Sequence, residues 1–539
     1  MINLCLVFLI PSLVHPLVQA GYAPKLCDCP TTPLVRPGGN LSDNEEAYRL
    51  ARKLQADEAL KNWLKKTDPG FGVEELPTIA LATSGGGYRS LLSGAGVVQA
   101  LDSRDSNLSV SGLYQALTYH SGLSGGGWMV FSIAGNNYPT ISQLKEKIWK
   151  KSFKSNYFAP KNLVFSYHED KVVADVLEKQ AAGFNTSLID RFGRLLTRQF
   201  LGKLDDSSTT LSSITSMSNF TSHSAPFPII TALGTESVLD KCRVDSNSTT
   251  YEFTPYEFGS WDRNINAFTP SEYLGTQMNN GKPLNDCVRN YDDLGFLMAT
   301  SSNILGTICS TDYKPPGRFR SAINRVASYI IRLPKLETND MLATYRNPFY
   351  NYTSPTSDTN LENPISDQEI LRLVDGGLTL QNNPISPLLQ PARKVDVILV
   401  NDNSGDYDGR YPNGTRIETS YIHSFEAGLS RMPFIPSPEI FVSKGLNTRA
   451  TIFGCGDPGK TTLVYLPNNI YTYDSGVSTF KLNFSPKSTE AMIQNGNHIA
   501  TQGNQEDWPV CLGCALMMNT KQKLPEACSA CFAKYCYNT

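Results

Sequence analysis

Residues 112–135, GLYQALTYHSGLSGGGWMVFSIAG, decide how this chain is read. A short apolar strand runs into a glycine turn, and a helix follows. The turn, Gly122-Leu123-Ser124-Gly125-Gly126, matches G-x-S-x-G. Between a strand and a helix this pattern makes a sharp turn that exposes the serine hydroxyl, and glycines fit because side chains would crowd it. The amide of Gly125 opens the helix and can point at a developing oxyanion. Ser124 is therefore a candidate nucleophile. On this stretch alone the competing reading, a small residue in a glycine-rich turn, stays open.

The same order occurs upstream. Residues 78–101, TIALATSGGGYRSLLSGAGVVQAL, place a strand, three glycines and a helix in succession. Open glycine amides suit an anion or a carbonyl oxygen. The stretch lacks the Lys-Ser/Thr ending of a Walker loop and is not the dinucleotide fingerprint. An oxyanion hole fits better, and Arg89 can hold a phosphate by paired hydrogen bonds. The alternative is a glycine turn followed by a surface arginine. A third stretch, LRLVDGGLTLQNNP (371–384), puts Asp375 at the end of an apolar strand before two glycines, where a catalytic base would sit. An acidic turn or helix cap is the alternative. KVDVILVND (394–402) reads as another buried strand. Strands alternating with helices predict an α/β sheet with ligands at the carboxyl ends of its strands.

A serine usually pairs with a histidine, and the chain has six. The order Ser124, Asp375, then His423 or His498 would suit a triad. Neither histidine lies in a glycine-turn context, and both read as structural or surface residues. His120 precedes Ser124 by four positions, His168 and His223 fall in polar surroundings, and His15 lies in the leader.

The first residues set the compartment. Ile2 to Val18 is almost wholly apolar, and Val18-Gln19-Ala20 offers small residues for signal peptidase. A membrane anchor is the alternative, but Pro11, His15 and Pro16 break the run. Eight Asn-x-Ser/Thr sequons, at Asn40, Asn107, Asn185, Asn219, Asn247, Asn351, Asn413 and Asn483, suit exposed loops of an exported protein. The twelve cysteines include Cys5, which cleavage removes, so an odd number remains for disulfides plus one free or intermolecular thiol. The closing C-x-x-C…C-x-x-C, Cys511 to Cys531, has zinc-ribbon spacing, yet export favours disulfides.

The bulk properties exclude little else. With 539 residues, 40% hydrophobic and 18% charged, the chain is long and apolar enough for a large core. A net charge of −2 gives no basic excess for nucleic acid. Residues 42–66 read as a helix capped by Ser42 with Glu45 three positions on, packing beside the core without chemistry. Residues 204–224, rich in Ser and Thr, read as a surface loop or insertion.

SGGGYR, GLSGG and LVDGGL, in this order on strand ends, resemble the fungal secreted phospholipase B (lysophospholipase) family and the catalytic domain of the cytosolic phospholipase A-type enzymes. TPYEFGSWD (254–262) and AFTPSEYLGT (267–276) resemble further segments of that domain, so the likeness runs from about Cys27 to Cys536. It implies a three-layer α/β/α fold with a central mixed sheet, related to patatin-like hydrolases. It also implies a Ser–Asp dyad without a catalytic histidine. Ser124 would be the nucleophile and Asp375 its base, with Gly86 and Gly87 joining Gly125 in the oxyanion hole and Arg89 steadying the substrate phosphate. The calcium-dependent docking domain of the cytosolic relatives has no counterpart here, so neither a metal nor another cofactor is expected.

The resulting expectation is a secreted or wall-retained enzyme with no transmembrane or lipid anchor, acting on lysophospholipids and phospholipids at membrane or micelle surfaces. It divides into a signal peptide (1–20), a helical lead-in (21–75), a catalytic domain (76–505) and a Cys-rich segment packed on it (506–539). An unperturbed aspartate base would keep activity at mildly acidic pH. The alternatives are a secreted carboxylesterase or neutral-lipid lipase, a serine protease, and a catalytically silent wall-binding protein.

Overall fold

The computed structural model describes residues 21–155, 167–202, 209–238, 241–309, 340–358, 361, 363–406 and 410–538. The expected signal peptide therefore lies outside the described residues, as does the side chain of His168.

The centre is a twelve-stranded sheet. Its strands in chain order are β1 (Arg36–Pro37), β2 (Ile79–Thr83), β3 (Leu117–Gly122), β4 (Phe227–Gly234), β5 (Thr250–Phe253), β6 (Glu257–Ser260), β7 (Ala267–Pro270), β8 (Ala343–Arg346), β9 (Ile370–Val374), β10 (Val397–Asp402), β11 (Thr451–Phe453) and β12 (Thr462–Pro467). Five of them, β12, β10, β2, β3 and β4, lie side by side and parallel. Each is buried along its whole length, as continuous apolar runs require when helices cover both faces. β11 closes one edge antiparallel to β12. Beyond β4 the sheet turns antiparallel through β5, β6, β7 and β1. β9, paired with β8, lies antiparallel to the end of β4 through Leu373↔Gly234 and Val374↔Leu233. This non-local pairing brings Asp375 beside the carboxyl end of β3.

The helices that matter are α1 (Asp43–Thr67), α2 (Tyr88–Leu101), α3 (Gly125–Gly135), α4 (Leu294–Ser301), α5 (Thr415–Glu426), α6 (Pro486–Thr501), α7 (Trp508–Met517) and α8 (Cys528–Tyr535). They flank the sheet in the expected three layers. α2 and α6 cross at backbone contact. A Cβ on Gly96 would lie 2.0 Å from the Ile493 carbonyl oxygen, and one on Gly496 would lie 2.2 Å from that of Ser93.

α1 begins as expected, with Ser42 Oγ accepting from the Glu45 amide at 3.3 Å. Its Arg52 is buried and donates to the carbonyls of Leu117, Gln115 and His223, which fixes the helix against the start of β3. The 204–224 segment departs from expectation. Residues 203–208 lie outside the described part, but Leu211, Ile214 and Phe220 are buried and Phe220 stacks on Tyr48 at 4.3 Å. The Leu211 amide donates to the Asp292 carbonyl at 2.8 Å. Its Ser/Thr content hides an apolar residue at every third position, which packs inward.

Five disulfides form: Cys29–Cys287, Cys242–Cys309, Cys455–Cys536, Cys511–Cys531 and Cys514–Cys528. The last two bolt α7 to α8, so the zinc-ribbon spacing holds disulfides. Cys27 is the free thiol among the described residues. Among those residues no helix is long and apolar enough to cross a membrane.

Candidate active site

The turns after β2, β3 and β9 converge on one small cavity of about 90 Å³, whose lining includes Gly86, Arg89, Ser124, Asp375, Asn382 and Arg416. Ser124 stands between β3 and α3 with φ +54° and ψ −123°, a strained conformation for a residue with a side chain. Its amide donates to Ser301 Oγ at 3.0 Å, and that hydroxyl donates to the Thr231 carbonyl at 2.7 Å, so α4 and β4 brace the elbow. The strain is thus held in place by neighbours, which is how a nucleophile elbow presents its hydroxyl.

Asp375 directly follows β9 and is buried. Its carboxylate accepts from the Gly377 amide at 2.7 Å and lies close enough to the Ser124 hydroxyl for that group to favour its ionised form. The capping role and the pairing with serine, alternatives in the sequence, coexist in one side chain. Burial pushes its carboxyl up to about 6, against the pull of the Gly377 amide, the Ser124 hydroxyl and the Arg416 guanidinium. The expected tolerance of acid therefore shrinks: the base form is lost below about pH 6 rather than about pH 4.

The glycines of the two turns nest. Gly87 has φ +58°, and a Cβ there would lie 2.5 Å from the Thr479 carbonyl oxygen. A Cβ on Gly125 would lie 2.0 Å from the Gly87 carbonyl oxygen. Gly86, Gly87 and Gly125 thus gather beside Ser124, each at or next to the N-terminus of a helix where amides lack intrahelical acceptors. Asn382, which the sequence did not single out, clamps this arrangement. Its carbonyl accepts from the Gly85 amide at 3.0 Å while its Nδ2 donates to the Gly85 carbonyl at 3.1 Å.

Arg89 lines the cavity but is deeply buried. Its Nε donates to the Asn403 carbonyl at 2.8 Å, Nη1 to the Val477 carbonyl and Nη2 to Thr479 Oγ1 at 3.1 Å. Burial lowers its pKa to about 10, still a cation at neutral pH. A second guanidinium, Arg416, was missed by the sequence because nothing marks the first turn of a polar helix as part of a site.

Among the described residues no histidine lines the cavity. His120 is buried, shares a 3.1 Å hydrogen bond with Thr83 Oγ1 and is held neutral, its pKa lowered to about 3 by burial. His423 is likewise lowered to about 4. His498 lies near Asn504 at 3.4 Å in the last turn of α6. A larger cleft of about 570 Å³, lined by Tyr421, Phe434 and Tyr537, is separate and holds none of these groups. Of the sequons, Asn40, Asn107, Asn185, Asn247, Asn351 and Asn483 are exposed, while Asn219 and Asn413 are half-buried.

The family model of the lysophospholipase catalytic domain matches residues 79–539. Lysophospholipase 2 of Aspergillus fumigatus is 35% identical over 97% of this chain and 94% of its own. Lysophospholipase 3 of the same organism is 38% identical over 97% and 88%. The solved human GIVD cytosolic phospholipase A2 superposes with a TM-score of 0.68 at 19% identity, covering 91% of this chain and 69% of that one.

Proposed function

The chain belongs to the lysophospholipase catalytic-domain family of carboxylic ester hydrolases, and on that premise we propose that it is a secreted phospholipase B working through a Ser124–Asp375 dyad. The observation that carries this reading is the meeting of Ser124 and the buried Asp375 carboxylate in the lining of one cavity. Asp375 takes the proton as Ser124 Oγ attacks the ester carbonyl of a lysophospholipid or phospholipid. The amides of Gly86, Gly87 and Gly125 receive the oxyanion, and Arg89 steadies the phosphate. The lyso-alcohol or glycerophosphodiester leaves, and water hydrolyses the acyl-enzyme. A second lysophospholipid in place of water gives transacylation.

Ile304, Leu378 and Phe480 give the cavity an apolar side against which an acyl chain can lie. Five disulfides and the apolar leader support export after cleavage behind Ala20. Residues 21–75 then lead into a catalytic domain at 76–505, with 506–539 stapled to it and glycans on the exposed sequons. The test compares wild type with Ser124→Ala on lysophosphatidylcholine and diacyl phosphatidylcholine, counting fatty acid released per lipid. Release that vanishes in the variant, with two acids per diacyl lipid in wild type, is expected. Undiminished release by Ser124→Ala would reject the dyad.

A further inference from the structure

We propose that Arg416 is the positioning residue of the Asp375 base, gripping the Gly376–Gly377 turn that presents the carboxylate to Ser124. The proposal rests on the dyad reading. Arg416 stands in the first turn of α5, some forty residues from Asp375 in sequence, and lines the same cavity. Its Nη1 donates to the Gly377 carbonyl at 2.8 Å. The amide of that same residue donates to Asp375 Oδ1 at 2.7 Å. Gly377 is therefore fastened on both sides, by the guanidinium at its carbonyl and by the carboxylate at its amide.

Arg416 is itself aimed. Its Nε donates to Asp406 Oδ1 at 2.8 Å, and Asp406 is nearly inaccessible, with its side chain 3% exposed. A planar guanidinium can hold a carboxylate on one edge and a carbonyl on another at fixed angles, which a lysine cannot do. Arg89, by contrast, bonds the segments 403 and 477–479.

The charge works in the same direction as the grip. Among the described residues lining the cavity, Asp375, Arg89 and Arg416 carry formal charge. The groups acting on the Asp375 carboxylate are the Ser124 hydroxyl from the β3–α3 turn, the Gly377 amide on its own turn and the Arg416 guanidinium from α5. Arg416 is the one cation among them, and it favours the ionised base that burial opposes. Asp406 partly offsets that cation from behind.

The experiment measures kcat/KM against pH for wild type, Arg416→Gln and Arg416→Lys, on lysophosphatidylcholine and on a nitrophenyl acyl ester. The acid limb of kcat/KM reports the free enzyme's base. Arg416→Gln is expected to move that limb upward by about 1 pH unit on both substrates, with kcat falling and KM unchanged. Arg416→Lys keeps the charge but not the two-sided grip. It should leave the limb near its wild-type position while kcat falls by about tenfold.

A limb that stays put in Arg416→Gln while only the plateau falls would make Arg416 a strut and overturn the proposal. A loss confined to the phospholipid would also overturn it, by making Arg416 a headgroup residue. Should Arg416→Gln not fold, wild-type kcat in Arg416→Lys would do the same. Asp375→Asn run alongside separates the two levels. If it retains turnover, the dyad and this inference fall together; if it is dead and the Arg416 predictions fail, only the inference falls.

Discussion

Two buried charges in this molecule are treated in opposite ways. Arg393 lies beneath the sheet, fully inaccessible, and every one of its five N–H donors is used. Nε and Nη2 bond Glu45 at 2.8 and 3.2 Å, Nη1 and Nη2 bond Glu252 at 2.8 and 2.5 Å, and Nη1 also donates to the Pro387 carbonyl at 2.9 Å. Asp375 is buried as well but lines the cavity, and its partners are an amide, a hydroxyl and the field of one arginine. A saturated charge can only hold the fold together. A charge kept short of a full partner is expensive to bury and ready to exchange a proton.

The sharpest way to break this comparison is Asp375→Asn. Turnover should fall by at least about 10⁴-fold, as when a base that orients and deprotonates is lost. Stability should rise. The carboxyl is raised from 3.8 to about 6 in the fold, so the ionised form is disfavoured there. The stability deficit grows as pH rises between those values and is complete above about 6. Asparagine keeps an acceptor for Gly377 and removes the deficit, worth up to about 3 kcal/mol at pH 8. Thermal melts at pH 4 and pH 8 check it: the stabilisation should appear at pH 8 and fade at pH 4. A variant less stable than wild type at both pH values would contradict the view of Asp375 as a strained, poised group.

Arg393→Met should do the reverse. It strands Glu45 and Glu252 in the interior and should cost about 3–5 kcal/mol, read as a lower denaturation midpoint, with kcat/KM of the folded fraction unchanged. Replacing Glu45 and Glu252 by glutamine in the same chain should recover much of that loss.

The site half of this contrast was legible in the sequence, and the structural half was not. The three glycine turns announce themselves because a strand, a glycine turn and a helix are local events within about twenty residues. What fastens them is non-local. Ser301 braces Ser124 from 177 positions away, and Asn382 meets Gly85 across 297. Glu45 meets Arg393 across 348 positions. No periodicity connects such pairs. Periodicity did not give the antiparallel half of the sheet for the same reason, since register between distant strands is set by packing; the mixed sheet followed only from the family resemblance. The burial that lifts Asp375 is a property of the assembled site, which the value of an unperturbed aspartate cannot include. The segment around Phe220 is different: Leu211, Ile214, Met217 and Phe220 recur every third residue. That signal was present and was masked by serine and threonine.

Arg89 sharpens the comparison, because it shares features of both charges. Its bonds to three loop positions resemble the saturation of Arg393, while its place in the cavity wall resembles that of Asp375. Arg89→Ala should therefore lower turnover of a nitrophenyl ester through lost loop structure, and of lysophosphatidylcholine by at least about tenfold more through lost phosphate contact. Equal losses on both substrates would leave Arg89 a strut.

The smallest effect applies the same distinction to a surface amide. Asn219 lies in a sequon, but its Nδ2 donates to the Asn137 carbonyl at 2.7 Å and its Oδ1 accepts from the Ser224 hydroxyl at 3.3 Å. A glycan would have to replace that Nδ2 hydrogen bond and sit against a half-buried turn. Asn185 and Asn247 are exposed on their loops. Single Asn→Gln variants of the protein expressed through a secretory pathway, weighed intact by mass spectrometry, should each lose one glycan at Asn185 and Asn247. At Asn219 the mass should change only by the substitution, with a slight loss of thermal stability of about 1 kcal/mol from the missing hydrogen bond. A full glycan at Asn219 would mean that the 209–224 turn closes only after modification, and that its commitment in the fold does not decide what the amide is available for.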